Sequence, residues 1–215
     1  MEFYPKNKIP VAEVRKFIVI FYIVGLLGFI IPFTKPLFIT ITPFALLLNV
    51  YLLAIYHEGY SLKQVLAFLF IFLSGFCIEV VGVRTGLIFG SYLYGEALGI
   101  KLLETPLLIG VNWLFLTYTA MSIMERLNIN KWIALFAAPA LMLGYDVIME
   151  QVAPKMDMWS WHNAEVPLQN YLAWFAIAVC FVAILNALKI KTSNPLSGVL
   201  FMCQVVFFTV LLFLL

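Results

Sequence analysis

Apolar stretches of near-membrane length, separated by short polar breaks, dominate this chain from residue 14 to its last residue. A helix rises about 1.5 Å per residue, so roughly 20 apolar residues cross a hydrocarbon core of about 30 Å. Seven stretches meet that length: 14–33, 37–56, 62–83, 106–124, 132–150, 170–188 and 196–215. Each reads as a helix, because lipid leaves an open backbone unsatisfied and no alternating barrel pattern is present. The pattern predicts an all-α, multi-pass membrane protein with about seven transmembrane helices, a single integral-membrane domain over residues 1–215.

The polar breaks predict an orientation. Lys6, Lys8, Arg15, Lys16, Lys63, Arg126, Lys131, Lys189 and Lys191 fall on one side of the seven spans, and only Lys35, Arg84, Lys101 and Lys155 on the other. Positive charge favours the cytoplasm, so the N-terminus is expected inside. The two longest connections, 84–105 and 151–169, then share the outer face. The first carries four glycines and three aromatics, the second two prolines and the pair Trp159 and Trp161. Neither has the composition of a plain polar loop, and both are expected to pack at the interface or fold back into the membrane. The basic N-terminus leads into a long apolar run without a small-residue cleavage site, which reads as an anchor and not as a removable signal.

Against this background three acids stand out. Glu79 lies in "FLSGFCIEVVGV", and Asp146 and Glu150 lie one turn apart in "APALMLGYDVIMEQ". An ionisable group at the membrane centre costs roughly 2.5–3.5 kcal/mol on insertion scales, so three unpaired ones are a heavy load without a function. With the spans threaded alternately, Glu79, Arg84, Asn112, Asp146, Glu150, His162 and Asn170 converge on one face. Competing structural roles are an ion pair of Glu79 with Arg84 and an interfacial, solvated Glu150. His57, beside Glu58 in a short loop, reads as solvated, whereas His162 lies on the face of interest. Tyr92, Tyr94, Trp159 and Trp161 have an ordinary explanation as an interfacial aromatic belt, and gain chemical meaning only where a cation forms. Gly82, Gly86, Gly90, Gly95 and Gly99 are read as points of close backbone approach.

Composition removes several function classes. Of 215 residues, 64% are hydrophobic and 11% charged, which no soluble domain of this size matches. A net charge of +2 without a basic run gives no basis for nucleic-acid binding. The two histidines fall on opposite sides, which excludes a histidine-rich di-iron centre, and no dinucleotide glycine fingerprint is present. Cys77, Cys180 and Cys203 lack metal-ligand spacing and read as ordinary membrane-helix residues. The last span has no lysine for a retinal Schiff base, and the paired aspartate-rich motifs of a prenyltransferase are absent. What remains is acid–base chemistry without a metal or redox cofactor, or a proton- or ion-coupled transporter.

The segments "EVVGVRTGLIFGSYLYGEALGIKLLETPLLIGVNW", "YDVIMEQVAPKMDMWSWHN" and "VPLQNYLAWF" together resemble the carotenoid 1,2-hydratase (CruF-type) family of carotenoid biosynthesis proteins. The resemblance spans roughly residues 76–176 and rests on Glu79, Thr85-Gly86, Phe89-Gly90, Tyr92, Tyr94, Trp113, Asp146, the Trp159/Trp161 pair and Asn170 in order. One departure is Glu150-Gln151, where the family pattern has Asp-Pro. The resemblance implies addition of water to the terminal C1=C2 bond of an acyclic (ψ) carotenoid end, in lycopene, γ-carotene or a similar substrate, within the cytoplasmic membrane. It also implies other carotenoid enzymes as neighbours. Hydration needs a proton donor for C2, an environment that tolerates a tertiary cation at C1, and a positioned water. Asp146 is the expected donor and Glu79 its anionic partner, although the two could exchange. Glu150 and Arg84 would support the site, while Asn112, Asn170 and His162 would orient water. Trp113, Trp161 and Tyr92 would surround the cation. A cyclase acting on the same end group is the near alternative.

Overall fold

The structure, a computed structural model, describes residues 8–215, so Lys6 of the charge argument lies outside the described residues. Seven α-helices appear: α1 Val11–Ile30, α2 Lys35–Tyr56, α3 Leu62–Thr85, α4 Leu108–Arg126, α5 Lys131–Val152, α6 Leu168–Ala187 and α7 Ser197–Leu214. Their bounds fall within three residues of the seven apolar stretches. Five of them (α2, α3, α5, α6 and α7) are long and apolar enough to cross a membrane, and the protein is a multi-pass membrane protein. The other two differ from them in separate ways, α1 by charges gathered at its start and α4 by polar residues along its length. Near its start α1 carries Glu13, Arg15 and Lys16, and α4 carries Asn112, Thr117, Thr119 and Ser122.

Burial explains how α4 tolerates those polar residues. It packs against α2, α3, α5, α6 and α7, and fourteen of its residues are buried, so little of it needs an apolar outer surface. The outer helices turn large apolar residues outward instead, among them Phe17, Ile20, Phe44, Leu66, Phe70 and Phe136. Such an array is stable only where the surroundings are themselves apolar.

Local chemistry fixes the helix ends. Ser61 caps α3 in a reciprocal box with Gln64, and Asn130 caps the Trp132 amide at the start of α5. The end of α3 is set by Gly86, whose φ of +64° suits a residue without a side chain. Gly75 has a different task. A Cβ there would lie 2.8 Å from the Trp113 side chain, so its absence lets α3 and α4 close together.

The all-α expectation needs one correction. Two short antiparallel ladders lie in the connections after α3 and α5: β1 Tyr92–Tyr94 pairs with β4 Trp159–Trp161, and β2 Lys101–Leu102 pairs with β3 Thr105–Pro106. The first ladder joins the two long connections to each other at one end of the bundle. It forms because both segments alternate, and antiparallel pairing sends every second side chain to the same face. A second correction concerns His57, expected in solvent. It is buried, with Nδ1 2.7 Å from the Tyr118 hydroxyl, because the chain between α2 and α3 folds under the bundle end. Cys77, Cys180 and Cys203 are free, in keeping with the sequence reading.

Candidate active site

The β1–β4 ladder carries the aromatic residues, and its register explains their placement. Tyr92 stands opposite Trp161 and Tyr94 opposite Trp159. These four face the helices, while the intervening Leu93 and Ser160 are exposed. Beneath them lie Glu79 from α3 and Glu150 from α5, both buried.

Each strand serves one carboxylate. Tyr92 and Tyr94 donate to Glu79 Oε2 at 2.5 and 2.8 Å. Trp159 and Trp161 donate through their indole N–H groups to Glu150 Oε2 at 2.9 and 2.7 Å. A helix residue supplies the donor for each remaining oxygen. Trp113 on α4 donates to Glu79 Oε1 at 3.0 Å, and Asn170 on α6 donates to Glu150 Oε1 at 3.1 Å. Asp146, one turn deeper on α5, has a single longer contact, from Asn170 Nδ2 at 3.4 Å.

Two features of this set matter chemically. The indole N–H only donates, so Trp113, Trp159 and Trp161 fix Glu79 and Glu150 as acceptors. Burial, followed by the Glu79 carboxylate, pushes the phenols of Tyr92 and Tyr94 well above their ordinary range, so both stay O–H donors. No lysine or arginine among the described residues forms an ion pair with any of the three acids. No group of three or more His, Cys, Asp or Glu among the described residues is arranged to hold a metal ion.

A lipophilic chamber lies beside the acid cluster, although none of the three acids lines it. A cavity of about 340 Å³ lies between α1, α2, α4, α5 and α7, lined chiefly by aromatic and aliphatic side chains. A smaller cavity of about 20 Å³ is enclosed by Glu79, Glu150, Asn170 and the ladder aromatics. Ile109 and Trp159 line both, so the two spaces meet across these side chains. A volume of a few hundred Å³ is that of an ordinary small-molecule site. A family model described as carotenoid biosynthesis protein matches residues 35–215, from the start of α2 to the last residue. The chain belongs to that family. No curated protein and no solved structure matches it.

The family places the protein in carotenoid biosynthesis, with a carotenoid substrate. In this carotenoid biosynthesis protein, Glu79, Asp146, Glu150, Tyr92, Trp113, Trp161 and Asn170 gather at one site, as expected from the sequence. Three other expected residues lie elsewhere. Arg84 is exposed, because five residues along a helix turn it about 140° away from Glu79, and the Glu79–Arg84 pair is not formed. His162 is exposed just beyond β4, where the strand alternation turns it away from the acids. Asn112 is buried and lines the larger cavity, not the acid cluster.

Glu150 is also better buried than an interfacial acid, at 4% exposure with three donors. Three members were missed as site residues. Tyr94 and Trp159 have the sequence signature of interfacial aromatics, and Trp174 stacks on Trp113 with ring centroids 4.0 Å apart. The alternation in "YLY" and "WSW" was the available signal for the first two, since it marks short strands with one aromatic face.

Proposed function

We propose that this protein hydrates the terminal C1=C2 bond of an acyclic carotenoid end, giving a tertiary 1-hydroxy carotenoid. The substrate end lies in the 340 Å³ chamber with its last double bond at the Ile109–Trp159 boundary. Asp146 carries the proton, because it has only one long hydrogen bond while both glutamates already accept from three donors. Its carboxyl O–H transfers the proton to C2, the π electrons form the new C–H bond, and C1 becomes a tertiary cation. Glu79 and the faces of the ladder aromatics lower the energy of that cation, each π face by about 0.5–2 kcal/mol. A water oxygen bonds to C1, and its surplus proton passes to Glu79. Return of that proton to Asp146 completes the cycle.

The observation that supports this reading is a lipophilic chamber that shares Ile109 and Trp159 with a cavity lined by Glu79 and Glu150, in an acid cluster whose only described partners are neutral donors. A transporter reading lacks a comparable support, since the acids are closed off by the ladder instead of lying along an open route. In the proposed orientation the N-terminus is cytoplasmic, the ladder lies on the outer side of the cytoplasmic membrane, and residues 1–215 act as one unit.

The test is expression in a host that accumulates lycopene or γ-carotene, followed by mass analysis of the pigments. Hydration yields a product one water heavier than the substrate. An isomer of unchanged mass identifies a cyclase, and unchanged pigment removes the enzymatic reading.

A further inference from the structure

Several polar side chains of the chamber wall are paired within the protein. Asn49 Nδ2 donates to the Tyr22 hydroxyl at 2.6 Å, and Thr42 donates to the Phe38 carbonyl at 2.9 Å. Tyr22 and Gln204 also meet through their side chains. Asn112 of α4 is different. It is 6% exposed and lines the 340 Å³ cavity, yet among the described residues its amide has no hydrogen-bond partner. Neither of its polar atoms is sealed off from water-sized space, so the amide opens onto the cavity. Tyr145 of α5, 2% exposed, brings a second hydroxyl without a hydrogen-bond partner to the same wall. Buried polar groups nearly always find a partner, in the protein or in ordered water.

The position of Asn112 relates the chamber to the acids. It follows Ile109, which lines both cavities, by three residues, less than one helical turn. Its neighbour in sequence, Trp113, donates to Glu79 Oε1 at 3.0 Å. Successive helix residues point about 100° apart, so one turn of α4 presents an indole to the acid and an amide to the chamber. We infer that Asn112 holds the water that the C1 cation captures. The inference deepens the proposed hydration and rests on it. Water fits the amide, since Nδ2–H donates to the water oxygen and Oδ1 accepts one of its protons. The second lone pair of that oxygen forms the bond to C1. The surplus proton passes to Glu79, and the neutral amide neither gives nor keeps one. A buried water needs roughly two to four polar partners, and the rest of this wall is apolar or already paired. A polar group on the guest is a poorer match, because an acyclic ψ end is a hydrocarbon and has none. Asn112 is therefore a positioning residue, acting on the carotenoid through the water.

The test separates protonation of the substrate from capture of the cation. Membranes carrying the full chain are incubated with lycopene in D₂O buffer, and the pigments are separated and analysed by mass. The unsubstituted protein is expected to yield mainly the hydrated product, with the deuteron that Asp146 delivers at C2. Asn112→Leu keeps the side-chain size and removes both hydrogen-bonding atoms. It is expected to lower the hydrated product by about 10²-fold, the scale of a misplaced reactant. The cation still forms, and its decay returns a proton from C2 or from a C1 methyl to Asp146. Deuterium in the recovered hydrocarbon should therefore persist, whereas a merely structural role would reduce both signals together. Asn112→Ala replaces the leucine variant where that protein is not monodisperse. Asn112→Ser, whose hydroxyl both donates and accepts, should recover part of the hydration. Hydration at the original rate without the amide, or hydration and deuterium lost together, overturns the inference and leaves the hydration reading standing. An unsubstituted protein that forms no hydrated product removes that reading, and this inference with it.

Discussion

The two ends of α4 each meet a buried polar cluster, and the clusters are built on opposite principles. At the ladder end, carboxylates accept from donors that have little else to do. At the other end, neutral groups saturate one another: Asn194 donates to the Leu53 carbonyl at 2.8 Å and to the Tyr118 hydroxyl at 3.1 Å, while its own amide N–H donates to Ser122. At its edge the half-buried Glu125, the one carboxylate of this network among the described residues, accepts from the Thr192 amide and hydroxyl. That network ties the 188–196 connection to α2 and α4, and each of its groups acts as a fastening. The acid cluster fastens the ladder too, yet it adds three ionisable groups beside a lipophilic chamber. A clamp has no need of those, because paired neutral groups hold a buried junction at lower desolvation cost.

The comparison breaks most sharply at Asp146 and Glu79. Asp146→Asn keeps the shape and removes the transferable proton, so 1-hydroxy product in a lycopene-accumulating host is expected to fall by about 10²- to 10⁴-fold. Glu79→Gln is expected to cost about 10²-fold or more, because it removes the anion while its donors remain satisfiable. Tyr92 and Tyr94 can reverse their hydroxyls to accept from the introduced amide, and Trp113 can still donate to its carbonyl. Expression and thermal midpoint should stay near the unsubstituted values in both. Product formation at the original rate in either variant would reduce the acid cluster to a second clamp.

How far these roles were legible in the sequence follows the same division. Helix existence and placement came from apolar run length, which is a local property and survives into the structure at all seven helices. The acids were visible because lipid makes charge conspicuous. Their donors were harder to see, since Tyr and Trp near a membrane boundary have an ordinary explanation and the register that aims them is a long-range property of two segments 65 residues apart. The burial of His57 was illegible for a related reason. Its main partner, Tyr118, lies 61 residues on, and nothing in "YHEGYS" announces it.

A smaller effect is expected from the donors to Glu150. Trp159→Phe or Trp161→Phe removes one indole N–H from Oε2 while keeping an aromatic face. A hydrogen bond to a charged group contributes about 1.5–3 kcal/mol, so each change should lower turnover by roughly 10- to 100-fold. If either leaves product yield untouched and only lowers the thermal midpoint, the ladder is a lid on the cluster without a part in its electrostatics.

At the opposite end the expected signature is inverted. Asn194→Ala leaves the Leu53 carbonyl and the Leu196 amide without partners. It should destabilise the protein by about 1–3 kcal/mol, with turnover per folded molecule retained. His57 adds a pH dependence of known sign. Burial, partly offset by Glu58, holds its imidazole below the ordinary range, so the unfolded chain binds a proton more readily. The stability of the neutral native form is complete above the unfolded value of about 6.5 and is lost as pH falls toward the folded value. Thermal midpoints measured from pH 7.5 to pH 5 should decline, and His57→Gln should flatten that decline. A loss of turnover in Asn194→Ala without a loss of stability would make the two clusters functionally alike.

The smallest expected effects fall on Arg84 and His162, the two exposed residues among those that topology alone brought toward the acids. Arg84→Gln would be severe if the guanidinium neutralised Glu79, since breaking a buried ion pair leaves an unpaired charge and costs about 3–5 kcal/mol. The structure instead leaves Arg84 in an exposed position and gives Glu79 three neutral donors. His162 is likewise exposed, and its amide N–H donates to the Ser91 carbonyl, a contact that any residue with a backbone amide provides. Arg84→Gln and His162→Ala should therefore each stay within about 0.5 kcal/mol in stability. Pigment conversion should match that of the unsubstituted protein. A tenfold loss of product in Arg84→Gln would mean that a cation balances the acids after all, and the contrast between an acid cluster held by neutral donors and a neutral clamp would have to be redrawn around that charge.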